Sequence, residues 1–351
     1  MNKKILFAAV GAALAVAPMI SAQADVKVGG TAHVSLDSLD RDNSADKGSL
    51  HLSSNSSNFN ISASEDLGGG MKALAFFEFL IAQDASTTSP STTCTVPAGG
   101  GTCTDTSGLA NRNNYVGLQG GFGTVLMGHM DDPMKIAGRS VDLFYNEQLG
   151  ESRAIVAQSN WDARLANGIR YSSNATGGLS FMVHYAVEDQ FATDYTTLSA
   201  GLTYKAGPLM VGGAYKKIEG TTDLTGTRLV GSYKMGDIKI TGFYQDVDVS
   251  ATANRTTMGL GAALKAGNNT FKAQWYQADE TVSGANNGGS QLSLGIDHAL
   301  SKNTIVYVTH ASTSNDTSGT FGIGGSGHGA SATPAAGQDA SGLSLGMRMK
   351  F

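Results

Sequence analysis

From residue 26 onward, apolar and polar positions alternate with a period of two along most of the chain. In the last stretch Leu343, Leu345, Met347, Met349 and Phe351 share one face, and Ser344, Gly346, Arg348 and Lys350 share the other. Near the start, Val26, Val28, Ala32, Val34 and Leu36 oppose Lys27, Thr31, His33, Ser35 and Asp37. A repeat of two is the side-chain period of a β-strand with unlike environments on its two faces. The pattern predicts sixteen strands: 26–37, 58–66, 71–83, 112–119, 124–130, 167–173, 179–188, 196–205, 209–217, 226–235, 238–248, 255–265, 270–279, 291–300, 304–312 and 343–351. Short turns such as Gly68-Gly69-Gly70 and Gly236-Asp237 alternate with longer polar connections, and residues 131–164 carry no strand rhythm.

The first 24 residues follow another rule. Lys3 and Lys4 precede an apolar run over residues 5–20, and Ala22-Gln23-Ala24 is a small-x-small cleavage site. That is the layout of a secretion signal, so residues 1–24 are expected to be removed and residues 25–351 to form one domain. No later segment reaches the roughly 20 apolar residues of a helical span. Export, an even number of strands of about 9–11 residues, and strict alternation together predict an all-β protein. Its fold is expected to be a 16-stranded antiparallel transmembrane β-barrel, apolar outside and polar inside. Lipid leaves no partner for a free sheet edge, so the first and last strands are expected to pair.

Aromatics agree with this placement. Tyr185, Tyr204, Tyr215, Tyr233, Tyr244, Trp275 and Phe351 lie near strand ends on the apolar parity, as an interfacial girdle requires. A soluble sandwich of this size would need larger inward residues than the Ser, Thr, Gly and Lys found on the other parity. Composition narrows the picture further. Gly is abundant (46 residues), Pro scarce (6), and charged residues make up 15% of the chain, which suits many strands and tight turns and excludes a disordered polyelectrolyte. The formal charge is -5, and loss of Lys3 and Lys4 takes it to -7, so nothing points to nucleic acid. Cys94 and Cys103 sit in a Ser/Thr/Gly-rich connection and, in an oxidising compartment, are expected to form a loop-stiffening disulfide.

Several stretches resemble the general bacterial trimeric porins of the beta- and gammaproteobacterial type. Ser64-Glu65-Asp66-Leu67-Gly68-Gly69-Gly70-Met71-Lys72-Ala73 is similar to the family's second short turn. Asn111-Arg112-Asn113-Asn114-Tyr115-Val116-Gly117-Leu118, followed by Phe122-Gly123-Thr124-Val125, is similar to its fourth and fifth strands. Asp131-Asp132-Pro133-Met134-Lys135, with Val141-Asp142-Leu143-Phe144, looks like the start of its inward-folded third loop. Asp162, Arg164, Asn167, Ile169, Tyr171 and Ser173 resemble the strand that follows it. The glycine-rich third-loop signature of enterobacterial relatives is missing, and His129 stands where many relatives carry Arg or Lys.

The resemblance implies a homotrimer and a water-filled channel for ions and small hydrophilic solutes, narrowed by a third loop over 131–164. It offers Asp131, Asp132, Arg139, Asp142, Glu147, Glu151 and Arg153 as constriction residues. Lys27, Arg170 and Arg348 fall on the polar parity, and the likeness adds Arg112 as a fourth basic wall residue. Acidic loop against basic wall would set up a transverse field. Phe351 resembles the family's assembly signal, which implies contact with the barrel assembly machinery, and an outer-membrane barrel is expected to meet lipid and lipopolysaccharide. No cofactor or metal is implied: His129 with Asp131 and Asp132 lacks diagnostic spacing. His184, His298 and His310 read as solvated wall or rim residues rather than parts of a catalytic set. Residues 322–329 lack the aspartates of a calcium repeat and read as a surface loop. Two other readings stay open: a substrate-selective channel for anions, sugars or organic acids, and a surface adhesin or structural barrel whose long loops carry the function.

Overall fold

The computed structural model describes residues 24–42, 48–84, 110–145, 147–157, 161–190, 193–324 and 327–351. The signal segment and both cysteines, Cys94 and Cys103, lie outside the described residues.

The chain folds as β1 (Asp25–Arg41), β2 (Ser49–Ser54), β3 (Asn58–Gly68), β4 (Met71–Leu80), β5 (Ala110–Gly120) and β6 (Gly123–Asp131). Helices α1 (Pro133–Arg139) and α2 (Arg153–Val156) interrupt the β-structure before β7 (Arg164–Ser172). There follow β8 (Leu179–Gln190), β9 (Thr193–Ala206), β10 (Leu209–Glu219), β11 (Leu224–Met235), β12 (Ile238–Ser250) and β13 (Ala253–Ala266). The last elements are β14 (Asn269–Ala278), β15 (Gly289–Ala299), β16 (Thr304–Asn315), the short pair β17 (Ile323–Gly324) and β18 (Ser331–Ala332), and β19 (Ala340–Lys350).

Each barrel strand pairs antiparallel with its sequence neighbours, and β1 pairs with β19, so the sheet closes. β2 and β3 both lie along β1, one after the other, and act as two halves of one strand. With β17 and β18 set aside, the barrel has sixteen strands, as the alternation predicts. The sequence reading started the second strand at Asn58 and missed its first half. The reason lies at the break: Asn55, Ser56 and Ser57 are buried, and Ser57 replaces ladder bonds with its side chain. Its Oγ accepts from the His33 amide and donates to the His33 carbonyl, both at 2.9 Å. Three consecutive small polar residues hide a strand from any reading that follows apolar alternation.

The outer face is apolar and bare. Val28, Leu202, Leu229, Leu260, Leu345 and all seven aromatics named above are exposed. The buried apolar residues lie on the other side, between the wall and the loops. Val141, Ile155 and Val156 of the β6–β7 connection pack against Val230, Phe243 and Tyr276 of β11, β12 and β14. Met134 and Trp161 pack against Ala214 and Val247, and Leu149 packs with Leu39 and Ala311. The molecule's apolar core thus joins a loop to the inner wall rather than one sheet to another.

Two sequence readings are corrected here. Within the stretch 322–329, expected as a surface loop, Ile323 and His328 are buried, as is the adjoining Phe321. His184 is no solvated wall residue either. It is fully buried near the loop, and both ring nitrogens are without a partner. Both errors share a cause, since alternation tells which face a residue takes and not what later covers that face.

Candidate functional site: the third loop and the facing wall

Helix α1 starts where it does because Asp132 caps it, accepting the Lys135 amide at 2.7 Å, and because Pro133 takes the first helical position without losing a donor. The same Asp132 carboxylate meets Lys216 of β10 at 2.7 Å, with both side chains fully buried. From there the loop is stitched to β11, β12, β14 and β15. Arg228 of β11 donates to the Met134 carbonyl at 2.7 Å and to Asp162 at 2.6 Å. Gln245 of β12 donates to Val156 O at 3.2 Å. Gln274 of β14 accepts from the Leu143 amide at 3.0 Å and donates to Asp142 and Gly150 O, each at 3.0 Å. On β15, Gln291 and Ser293 reach Gly150 O at 3.1 and 2.9 Å. Lys272 bonds Gln148 at 2.6 Å. All these groups lie on the polar parity of their strands, so the loop packs on the barrel's inner face.

The opposite wall is left open. A cavity of 390 Å³ is bordered by Tyr145 and Glu147 of the loop and by Thr31, His33, Asn58, Asn60, Glu78 and Arg112 of β1, β3, β4 and β5. Glu78 holds Arg112 Nε at 3.0 Å and the Asn113 side chain at 2.8 Å. Arg112 and Arg139 approach Glu147 at 3.8 and 3.9 Å. Arg139 also covers the Tyr145 ring, 4.8 Å from its centre. Behind them Asp131 is gripped by Lys135 at 2.9 Å, Arg139 at 2.7 Å and Arg164 at 3.0 Å.

The named loop residues therefore divide by role. Glu147 and Arg139 stand beside the cavity, with Asp131 anchoring the cations behind it. Asp132 and Asp142 are buried. Asp142 is saturated by Ser152, by the Phe144 amide at 2.8 Å and by Gln274. Burial pushes the Glu151 carboxyl well above its ordinary value, and the neighbouring Glu147 and Asp142 push the same way. Arg153 binds Asp162 at 3.0 Å. Burial alone would raise Asp162, but Arg228 and Arg153 outweigh it and hold that carboxyl below its usual range. Burial also lowers Lys135 to about 8, against the pull of Asp131.

The four wall bases scatter as well. Arg112 lines the cavity. Arg170 is part-buried behind the loop and donates to the Asp131 carbonyl at 2.9 Å. Lys27 is exposed at the short-turn end, paired with Asp25 at 3.0 Å. Arg348 is half-buried on β19. Loop acids and wall bases meet directly at Asp132–Lys216 and Asp162–Arg228, while Glu147 of the loop faces Arg112 of the wall beside the cavity. Sequence reasoning missed Glu78, Lys216, Tyr145 and the three glutamines Gln245, Gln274 and Gln291. A signal existed for some of them. Glu78 is the lone acid in a strand that is apolar apart from Lys72, and the glutamines recur on the polar parity of β12, β14 and β15.

A closed barrel with an apolar outside, a polar inside and a loop packed against its inner wall has the build of an outer-membrane channel. Residues 8–318 match the model of the Gram-negative porin family, and the chain belongs to that family. Major outer membrane protein P.IB of Neisseria gonorrhoeae is 26% identical over 341 residues, covering 88% of this chain and 92% of the relative. The same protein of Neisseria meningitidis serogroup B is 27% identical over 263 residues, covering 70% and 72%. Among solved structures, the anion-selective porin from Comamonas acidovorans superposes with a TM-score of 0.79 at 24% identity, covering 94% of this chain and 100% of that one. OmpF of Salmonella typhi, in complex with daunomycin, gives 0.67 at 12% identity, covering 93% and 97%. These likenesses share the fold.

Proposed function

We propose that this porin is a general diffusion channel for ions and small hydrophilic solutes, constricted between the tip of the third loop and β1–β5, with a modest preference for anions. The observation that carries the preference is the charge count at the cavity and immediately behind it. Four cations, Arg112, Lys135, Arg139 and Arg164, surround three carboxylates, Glu78, Asp131 and Glu147. Burial, with Glu147 and Asp142 beside it, pushes the Glu151 carboxyl toward its neutral form. Permeating anions meet guanidinium groups whose own partners are shared, which lowers their entry cost. The anion-selective character of the Comamonas porin supports the same reading.

The remaining expectations join this proposal. Residues 1–24 act as a cleaved signal, Cys94 and Cys103 pair in the oxidising compartment, and Phe351 engages the barrel assembly machinery. Three copies associate, as one structurally similar porin, OmpT of Vibrio cholerae, does in its trimer form. The apolar outer face meets lipid and lipopolysaccharide. The test is single-channel recording of the refolded mature protein across a potassium chloride gradient. A reversal potential of the chloride-selective sign, in conductance steps grouped by three, is expected. A cation-selective reversal overturns the charge count.

A further inference from the structure

The connection between β16 and β19 does not stay at the rim. Phe321 enters the cluster of Val141, Ile155 and Tyr276, and Ile323 packs with Leu149 and Leu39. Past them, the buried His328 ring sits between the barrel wall and the tip of the third loop. Its Nδ1 lies 2.8 Å from the Glu147 carbonyl and its Nε2 lies 2.8 Å from the Asp37 carboxylate. Both neighbours are oxygen atoms that accept hydrogen bonds, so the ring bridges the loop backbone and the wall carboxylate. Ser53 donates to the same Asp37 oxygen.

The flanking glycines make this approach possible. A Cβ on Gly327, whose φ is +144°, would lie 2.6 Å from both the Glu147 side chain and Ser56 Oγ. One on Gly329 would lie 2.7 Å from the Ser54 amide nitrogen. Ser56 donates to Gly327 O at 3.1 Å, and the Gly329 amide donates to Asn55 at 3.1 Å. Ser56 and Glu147, at φ +51° and +60°, are two of the four non-glycine residues with positive φ among the described residues. Backbone held in that region persists only where its surroundings fix it, and here both strained residues touch the same glycine.

We propose that Phe321, Ile323 and residues 327–332 form a strap that clamps the tip of the third loop and narrows the long-loop mouth of the passage, with His328 as its latch. His328 is then a positioning residue: it acts through Glu147, setting where that carboxylate stands opposite Arg112 and Arg139. The inference rests on the passage running beside Glu147, as proposed above. It also predicts a mechanical effect that can be read without conduction.

The experiment compares the full-length folded protein with His328→Ala and His328→Gln, checking folding by heat-modifiable migration. The first readout is hydrogen exchange over residues 147–156. Exchange there is expected to quicken in His328→Ala, with His328→Gln, which keeps one donor, in between. The second is unitary conductance with polyethylene glycols of graded size. His328→Ala is expected to conduct roughly one and a half times the wild-type current and to admit larger polymers, as a widened mouth should. Unchanged exchange overturns the strap whatever the channel does. Quickened exchange with unchanged or reduced conductance overturns its role in narrowing the mouth. A folded wild type that does not conduct overturns the channel reading and leaves the exchange result to judge the clamp. Should His328→Ala fail to fold, Phe321→Ser gives the same two readouts from the other end of the strap.

Discussion

At the scale of single residues, the buried pair Asp132–Lys216 makes the sharpest claim. Each charge is fully buried and each compensates the other, while Asp132 also caps α1. Removing one partner leaves an ion stranded in low dielectric, which costs about 3–5 kcal/mol. Asp132→Ala is therefore expected to lower the unfolding midpoint in denaturant strongly, whereas Asp132→Ala with Lys216→Met recovers most of the loss, short of the cap's own contribution of about 1 kcal/mol. A double variant no more stable than Asp132→Ala would refute the pairing. Glu151 gives a pH dependence. Its carboxyl is raised in the folded protein by burial and by Glu147 and Asp142, so the folded state binds a proton that the unfolded chain releases at ordinary carboxylate values. The stability it confers is complete below the unfolded value and is lost as pH rises through the folded one. Glu151→Gln is expected to flatten that decline and to be more stable than wild type at high pH; parallel curves for the two proteins would reject the assignment. Neither residue's role could be read from sequence. Both were named as constriction acids because they lie in a loop of the right kind, and only packing decides whether a loop acid faces water or a buried lysine.

At the scale of elements, the strands were legible and the loops were not, for one reason. A strand in a membrane barrel writes its environment into every second residue, because lipid on one face admits no polar group and the inner face tolerates many. The sixteen predicted stretches fall on the observed strands, with ends moved by a few residues and the first half of the second strand added. The third loop carries no such code: its partners are Gln245, Gln274, Gln291 and Ser293, residues hundreds of atoms away along the chain. The seam shows how local an element's requirements can be. Phe351 exchanges backbone bonds with Gly30, its amide donating at 3.1 Å and its carbonyl accepting at 3.0 Å. Its ring lies where a side chain on Gly30 would go, since a Cβ there would fall 2.6 Å from the ring and 2.5 Å from Asn58 O. Gly30→Val is expected to disrupt closure of β1 on β19, so heat-modifiable barrel should fall several-fold in cells. Deleting Phe351 should do the same while leaving the conductance of any assembled channel near wild type. Normal barrel yields from both variants would mean that the seam does not depend on this contact.

At the scale of the whole molecule, two charge distributions of opposite sign compete. The chain carries a formal charge of -5, which becomes -7 if residues 1–24, with Lys3 and Lys4, are removed. Beside the passage, however, cations exceed carboxylates, and Arg112 and Arg139 share Glu147 between them. The range of each field depends on salt. At about 0.01 M the Debye length is roughly 30 Å, comparable to the height of the barrel, so exposed acids such as Glu219 and Asp223 near the long-loop end act on ions at the mouth. At about 1 M it is roughly 3 Å, and only the groups an ion nearly touches still count. Anion preference, measured as reversal potential at a fixed concentration ratio, is therefore expected to be weaker at low salt than at high salt. That is the reverse of the trend for a pore whose selectivity comes from one sign of charge throughout, where screening only weakens discrimination. Arg139→Gln should remove the high-salt preference and leave the low-salt behaviour nearly unchanged, because it alters the near field and hardly touches the far one. If preference instead fell steadily with salt in both proteins, the passage would be governed by a single field, and the local cationic excess would not be what permeating ions sense.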